Sequence, residues 1–198
     1  MRLRDKNVPL QINCPIMKQN ITTYKTVLKF AKGLNIEADS DYSLFGSFDN
    51  SRKNLVCRLS IEDIKKLIKE SYGKDQRANS YTKKYDACDH ICPICKYSLC
   101  ISNKGYVYPC EGWQSFILGN IRKKSLKDIW NSELVFHLRN LKYKDFPKCN
   151  FCLYKAFCNP CLIMNANENS RGDYMSPNSF VCEIAKIKYE QYQMTKKY

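Results

Sequence analysis

The chain has 198 residues, enough for one domain or two small ones with a real hydrophobic core. It contains no apolar run of about 18 residues that could span a bilayer, and residues 1–7 lack the apolar segment of a secretory signal. The sequence therefore predicts a cytoplasmic protein, in which twelve reduced cysteines are more often metal ligands than disulfides.

The formal net charge of +14 does not by itself indicate a nucleic-acid or membrane partner. Such binding requires the positive charge to be concentrated in a patch. Here the lysines are scattered through all segments, with short pairs such as Lys65-Lys66 and Lys123-Lys124. We therefore expect most of them on solvated faces, no membrane partner, and no nucleic-acid partner.

Residues 1–72 have the pattern of α/β units. Short apolar runs bounded by polar residues predict strands, and apolar side chains at helical spacing predict the helices between them. The second helix opens with a capping-box pattern, Ser60-Ile61-Glu62-Asp63. The predicted elements are a strand at 8–14, a helix at 21–31, a strand at 35–41 and a helix at 60–70.

Two such units cannot close a barrel, so residues 1–72 are expected to be part of a larger layer with an open edge. Cys14 and Cys57 stand apart from the other cysteines and are interpreted as core or incidental thiols. Residues 73–87 are polar and aperiodic, and they predict a linker.

Beyond the linker, residues 97–110 predict a β-hairpin with Gly105 at the left-handed position of its turn, which brings Cys110 back beside the upstream cysteines. Serines at 125 and 132 predict two helix starts. The expected core residues of this region are Trp130, Leu134, Leu138 and Leu141, with His137 on the surface. A short helix at 162–167, a loop at 169–173 and a final helix opening at Cys182 and carrying Ile184, Ile187 and Tyr192 complete the prediction.

Four cysteines in residues 149–161 follow the spacing C-x2-C-x5-C-x2-C. Sulfurs this close in sequence would allow competing disulfide pairings. Each C-x2-C step instead suits two thiolates that hold one metal or cluster, with backbone N–H groups directed at the sulfurs. Buried apolar thiols are the plainer alternative, but they have no reason to recur in paired steps.

The cysteine pattern resembles the SPASM domain, the C-terminal module of many radical SAM enzymes. The resemblance covers residues 88–185 and rests on Cys95-x9-Gly105-x4-Cys110, on Cys149-x2-Cys152-x5-Cys158-x2-Cys161 and on a last Cys182, together with the hairpin, a turn at 118–120 and the helix start at Ser125. It departs from the family in the final pair, where x2 replaces x3. The implied fold is a small Cys-rich α+β domain with a β-hairpin and short helices.

The resemblance implies two auxiliary [4Fe-4S] clusters with interleaved ligands. Cluster I would take Cys92, Cys95, Cys110 and Cys161, with Cys88 or Cys100 as alternatives to Cys92. Cluster II would take Cys149, Cys152, Cys158 and Cys182. The implied domains are residues 88–198 for the SPASM domain with its C-terminal helix, 73–87 for the linker, and 1–72 for the last strands and helices of a partial (β/α)6 radical SAM barrel.

The spacing Cys88-x3-Cys92-x2-Cys95 equals that of the catalytic radical SAM motif. In the family that motif follows the first barrel strand, whereas here it follows the predicted linker, so we interpret it as fortuitous. No catalytic residue is assigned. S-adenosylmethionine and a third [4Fe-4S] cluster would then belong only to a complete enzyme, in which the missing N-terminal barrel portion is on the same chain or a separate one, and we expect the isolated chain to be inactive.

The leading hypothesis is the auxiliary cluster-binding portion of a radical SAM enzyme that modifies a peptide or protein, serving electron transfer or substrate positioning. Its partners would be a peptide or protein substrate and a low-potential electron donor. The alternative is a zinc-binding module that interacts with nucleic acid, suggested by the C-x2-C pairs and by the excess of basic over acidic residues. A disulfide-stapled secreted protein would need an export signal.

Overall fold

The structure is a computed structural model that describes residue 6 and residues 8–71 and 85–195. Of the predicted linker at 73–87, residues 85–87 are described and the others lie outside the described residues. None of the helices in the described part of the chain is both long and apolar enough to cross a membrane.

The N-terminal unit contains a parallel pair of strands joined by a helix, as predicted. Strand β1 (Gln11–Pro15) pairs in parallel with β2 (Glu37–Asp41), and α1 (Tyr24–Gly33) connects them. Helix α1 begins three residues later than predicted because Asn20 closes a turn before it, accepting a hydrogen bond from the Met17 amide at 2.7 Å. The mixed α/β character is confirmed, while the assignment to a barrel stays a prediction.

Helix α2 (Ile61–Ser71) begins at the predicted cap. The Ser60 hydroxyl accepts a hydrogen bond from the Asp63 amide at 3.1 Å and donates one to the Asp63 carboxylate at 2.6 Å. This satisfies an amide that the first helical turn leaves without an intrahelical partner. The buried face carries Ile64, Leu67 and Ile68, in agreement with the helical spacing of the apolar residues.

The predicted hairpin forms from β3 (Cys100–Ile101) and β4 (Tyr106–Tyr108), which pair antiparallel. Gly105 has a φ of +81°, the left-handed conformation that its turn requires. Residues 119–120, expected in a turn, instead form a third strand, β5 (Gly119–Asn120), on the other edge of β4. The prediction of a turn was wrong because Asn120 pairs with Tyr106, a contact that local sequence does not specify.

Serine caps start both α3 (Leu126–Trp130) and α4 (Glu133–Arg139), as predicted. The expected core needs correction, because Leu134 is 40% exposed and Trp130 is half-buried. The residues that fill the core here are Ile129, Val135, Leu138 and Leu141. Val135 and Leu138, three residues apart on α4, form its buried face.

Three further helices follow, α5 (Pro147–Asn150), α6 (Leu162–Glu168) and α7 (Ser179–Thr195). Helix α7 begins before Cys182, where it was predicted to start, because the Asn178 side chain accepts hydrogen bonds from the amides of Phe180 at 2.9 Å and Val181 at 3.2 Å. Its Ile184 and Ile187 enter the same core cluster as Ile64 of α2. The C-terminal helix therefore packs on the N-terminal unit.

Candidate metal centres

Eight cysteines form two groups in the structure. In the first, Cys161 and Cys110 lie close enough to Cys92 to raise the pKa of its thiol, and Cys92 and Cys110 raise the pKa of Cys95 in the same way. We call this group set I: Cys92, Cys95, Cys110 and Cys161. In the second, Cys182, Cys149 and Cys152 act on Cys158. We call it set II: Cys149, Cys152, Cys158 and Cys182. The resemblance implies the same two ligand sets, and this assignment of ligands, like the binding of iron, stays a prediction.

Backbone N–H groups surround two sulfurs of set I. Burial raises the pKa of Cys92, while the N–H groups of Ile94 and Leu162 facing its sulfur lower it. Burial likewise raises the pKa of Cys161, against the N–H groups of Met164 and Ile163. Cys161 directly precedes α6, so the first turn of this helix directs its free amides at both sulfurs. Such N–H groups stabilise the thiolate that a metal requires.

Arg139 contacts Cys95, a residue with an unusual backbone conformation. Cys95 is 1% exposed and has a φ of +56°, which is uncommon for a residue with a side chain. The Arg139 Nε donates to the Cys95 carbonyl at 2.8 Å, and its guanidinium stacks 4.5 Å from the centre of the Trp130 ring. Burial raises the pKa of Cys95 to about 11, and the Arg139 charge opposes that shift. Sequence reasoning missed Arg139, since nothing local links it to Cys95.

Set I borders a cavity of about 460 Å³ whose lining includes Cys92, Cys100 and Cys110. Cys100 therefore lies near the set, on β3 opposite Tyr108. Cys88 is exposed, and its amide donates to the Asp86 carboxylate at 2.8 Å. Of the three competitors for the fourth ligand, Cys92 and Cys100 both border this cavity with Cys110, and the choice between them stays a prediction.

The two isolated cysteines lie in the N-terminal unit. Cys14 is buried in its core, as expected. Cys57 is partly exposed, and its sulfur accepts a hydrogen bond from Gln19 Nε2 at 2.9 Å.

All four thiols of set II line a single cavity of about 460 Å³. Burial raises the pKa of Cys158 to about 12 and that of Cys149 to about 11, and neighbouring thiols of the set add to both shifts. Lys188 opposes the shift at Cys158, and Lys148 opposes the upward shift at Cys182. Cys182 is exposed and sits in the first turn of α7, so set II is the more open of the two.

The donors of both sets fit an iron-sulfur cluster. Each set has four soft thiols, the ligands that such clusters take. The thiols of set II lie around a cavity. Within residues 8–71 and 85–195, no three His, Cys, Asp or Glu side chains lie close enough together to hold a single ion. The raised pKa values are no obstacle, because a bound metal deprotonates the thiols that coordinate it.

A third cavity, of about 520 Å³, lies where the carboxyl end of β2 faces the cysteine-rich loops. Its lining includes Asp39 and Asp41 from the strand and Cys158 and Cys161 from the two sets. Active sites of α/β folds lie at the carboxyl ends of parallel strands. Cys158 and Cys161, one from each set, therefore border the cavity at the carboxyl end of β2.

Residues 88–153 match the model of the SPASM family, an iron-sulfur cluster-binding domain. The resemblance to the SPASM family is confirmed. The match ends before Cys158, Cys161 and Cys182.

Among curated proteins, the chain is similar to the AdoMet-dependent heme synthase of Methanosarcina barkeri, with 23% identity in an alignment of 186 residues that covers 80% of this chain and 52% of that protein. Among solved structures it is similar to native anSMEcpe with bound AdoMet, with a TM-score of 0.61, 16% identity, and coverage of 96% of this chain and 56% of that one.

The anSMEcpe structure with bound AdoMet and Cp18Cys peptide matches with a TM-score of 0.60 and 16% identity, over 95% of this chain and 57% of that one. At this identity the structural likeness shows the fold alone. The chain spans about half the length of these relatives.

Proposed function

We propose that this chain is the auxiliary cluster-binding portion of a radical SAM enzyme that modifies a peptide or protein, and that it holds two [4Fe-4S] clusters. The observation that carries the proposal is the interleaved order of the two thiol sets. Cys158 lies with Cys149 and Cys182, whereas Cys161, three residues later, lies with Cys92 and Cys110.

Set I would hold cluster I and set II cluster II. Bound there, the clusters would supply sites for single-electron transfer. The chain contributes the surroundings, which tune the reduction potential. Amides of Ile163 and Met164 face Cys161, the Arg139 charge lies near Cys95, and the burial of Cys95 limits the access of water to set I.

The proposed substrate is a peptide or protein that reaches the cavity between β2 and the two sets. Support comes from anSMEcpe, which is described with bound AdoMet and a Cp18Cys peptide. The complete enzyme would also use S-adenosylmethionine, a third cluster on the rest of the barrel, and a low-potential electron donor, in the cytoplasm.

A second candidate is modification of a tetrapyrrole, which the similarity to an AdoMet-dependent heme synthase favours. The two candidates share the clusters and differ in the ligand. Binding assays with peptides from neighbouring genes and with a haem precursor would separate them.

The zinc alternative predicts a different metal content. Chain purified and reconstituted without oxygen should be brown and hold about eight irons if both clusters form. Two or three zinc ions and no iron after the same treatment would contradict the cluster proposal and favour the zinc module.

A further inference from the structure

The loop that follows β2 is attached to the C-terminal end of α6. We call residues 42–58 the clamp loop. Its Asn50 Nδ2 donates to the carbonyls of Ala166 at 3.0 Å and Asn169 at 3.2 Å. Its Gly46 amide donates to the Glu168 carboxylate at 3.2 Å. The clamp loop therefore contacts the C-terminal end of α6, and the N-terminal end of α6 follows Cys161.

An ion pair between Arg58 and Glu168 is the centre of this contact. Their side chains are 10% and 11% exposed, and Arg58 Nη1 donates to Glu168 Oε2 at 2.9 Å, with a second bond between Nη2 and Oε1. The guanidinium also lies 4.1 Å from the centre of the Phe180 ring on α7. Burial raises the pKa of Glu168, but hydrogen bonds and the charge of Arg58 outweigh it, so the net pKa is lowered and Glu168 is ionised.

Helix α6 connects the clamp loop to set I. Residues 162–167 are buried throughout, so the helix has little freedom to move. The Asn167 Nδ2 donates to the Gly46 carbonyl at 2.8 Å and to the Gly112 carbonyl at 2.9 Å. Gly112 stands two residues after Cys110. The same helix thus links the clamp loop to the segments that carry two ligands of set I.

We propose that Arg58 and Glu168 are a positioning pair that fixes α6 against the clamp loop and helps to set the reduction potential of the cluster at set I. The inference depends on the proposed function, because it requires that cluster. The pair brings one negative and one positive charge to the C-terminal end of α6, the short helix that directly follows Cys161.

The sign of the effect follows from electrostatics. A reduced cluster carries one more negative charge than an oxidised one, so a nearby carboxylate disfavours reduction and a nearby guanidinium favours it. Loss of the Glu168 charge should raise the potential, and loss of the Arg58 charge should lower it. A pair with a merely structural role would shift the potential in one direction for both changes.

The test is a redox titration followed by electron paramagnetic resonance on the full reconstituted chain. Glu168→Gln, Arg58→Met and the double variant are made in a Cys158→Ala background, so that only the set I cluster titrates. We expect an upward shift for Glu168→Gln, a downward shift for Arg58→Met, and a value near the parent for the double variant. The matched control is Glu70→Gln, which removes a charge from the exposed Lys25–Glu70 ion pair and should leave the potential unchanged.

Shifts of the same sign in both single variants, or no shift with full iron content, would overturn the proposal. If the single variants lose iron, retention of iron by the charge-balanced double variant supports the pairing, and loss in all three overturns it. Hydrogen exchange of the 161–168 peptide gives a second readout, expected to be faster in Glu168→Gln than in Glu70→Gln. Failure of the proposed function itself is distinguishable, because the parent chain would then bind no iron.

Discussion

The two thiol sets differ in how their ligands are distributed along the chain. Set II takes three of its four cysteines from residues 149–158, and Cys182 on α7 completes it. Set I takes Cys92 and Cys95 from a loop, Cys110 from the residues after β4, and Cys161 from the position before α6. Longer loops must therefore close before set I can assemble, at a cost in chain entropy.

This difference shows which parts of the molecule each set depends on. Set I is bounded by long-range contacts, including Arg139 with Cys95 and Asn167 with Gly112. Set II depends mainly on local turns and on the position of α7. Set I should therefore respond more to changes in packing around α6 and the clamp loop, whereas set II should respond more to the position of α7, which packs on the N-terminal unit.

The largest expected effect is the loss of one cluster from a single substitution. Cys161→Ala should remove about four of eight irons from set I, and Cys158→Ala about four from set II, with different resonance signals lost. Cys57→Ala is the control and should retain all of the iron, because Cys57 stands apart from both sets. Loss of the same signal in both variants would show that the interleaved grouping is wrong.

A smaller effect is expected from Gly112→Ala. A Cβ atom at this position would lie 2.6 Å from Phe45 Cε2 and 3.2 Å from Ile163 Cγ2. The clash should lower the free energy of unfolding by about 1–3 kcal/mol and reduce the iron bound at set I more than at set II. Thermal unfolding and iron analysis measure these two effects.

Gly33→Ala is the matched control, because in the described part of the chain no atom outside its own helix backbone and chain neighbours lies within 4 Å of its Cβ position. Equal stability of the two glycine variants would contradict the contact between Phe45 and the Cys110 segment. Equal loss of iron from both sets in Gly112→Ala would contradict the dependence of set I on that contact.

The smallest expected effect is kinetic. Cys182 is exposed, whereas Cys95 is 1% exposed. A chelator should therefore remove iron several-fold faster from the Cys161→Ala variant, which retains set II, than from Cys158→Ala, which retains set I. Faster loss from set I would show that exposure of the thiols does not control access to the clusters.

Local chemistry accounts for the features that the sequence predicted well. Serine caps at positions 60, 125 and 132 start helices because each hydroxyl accepts a hydrogen bond from an amide of the first turn. Gly105 turns the hairpin because its φ is positive. These outcomes depend on a few neighbouring residues, which is why the pattern was sufficient.

The features that were missed depend on distant residues. Arg139 lies 44 positions from Cys95, and Arg58 lies 110 positions from Glu168. The spacing of the cysteines predicts that they bind metal, but it does not assign each thiol to a set. That assignment came from the family resemblance. The expected core position of Leu134 was wrong because neighbouring elements decide which face of α4 is buried.

The most direct test of the two-cluster account is anomalous diffraction at the iron absorption edge from crystals of the anaerobically reconstituted chain. The account predicts two separate groups of iron atoms, one bonded to Cys110 and Cys161 and the other to Cys158 and Cys182. A single group of iron atoms, or one group bonded to both Cys158 and Cys161, would contradict it.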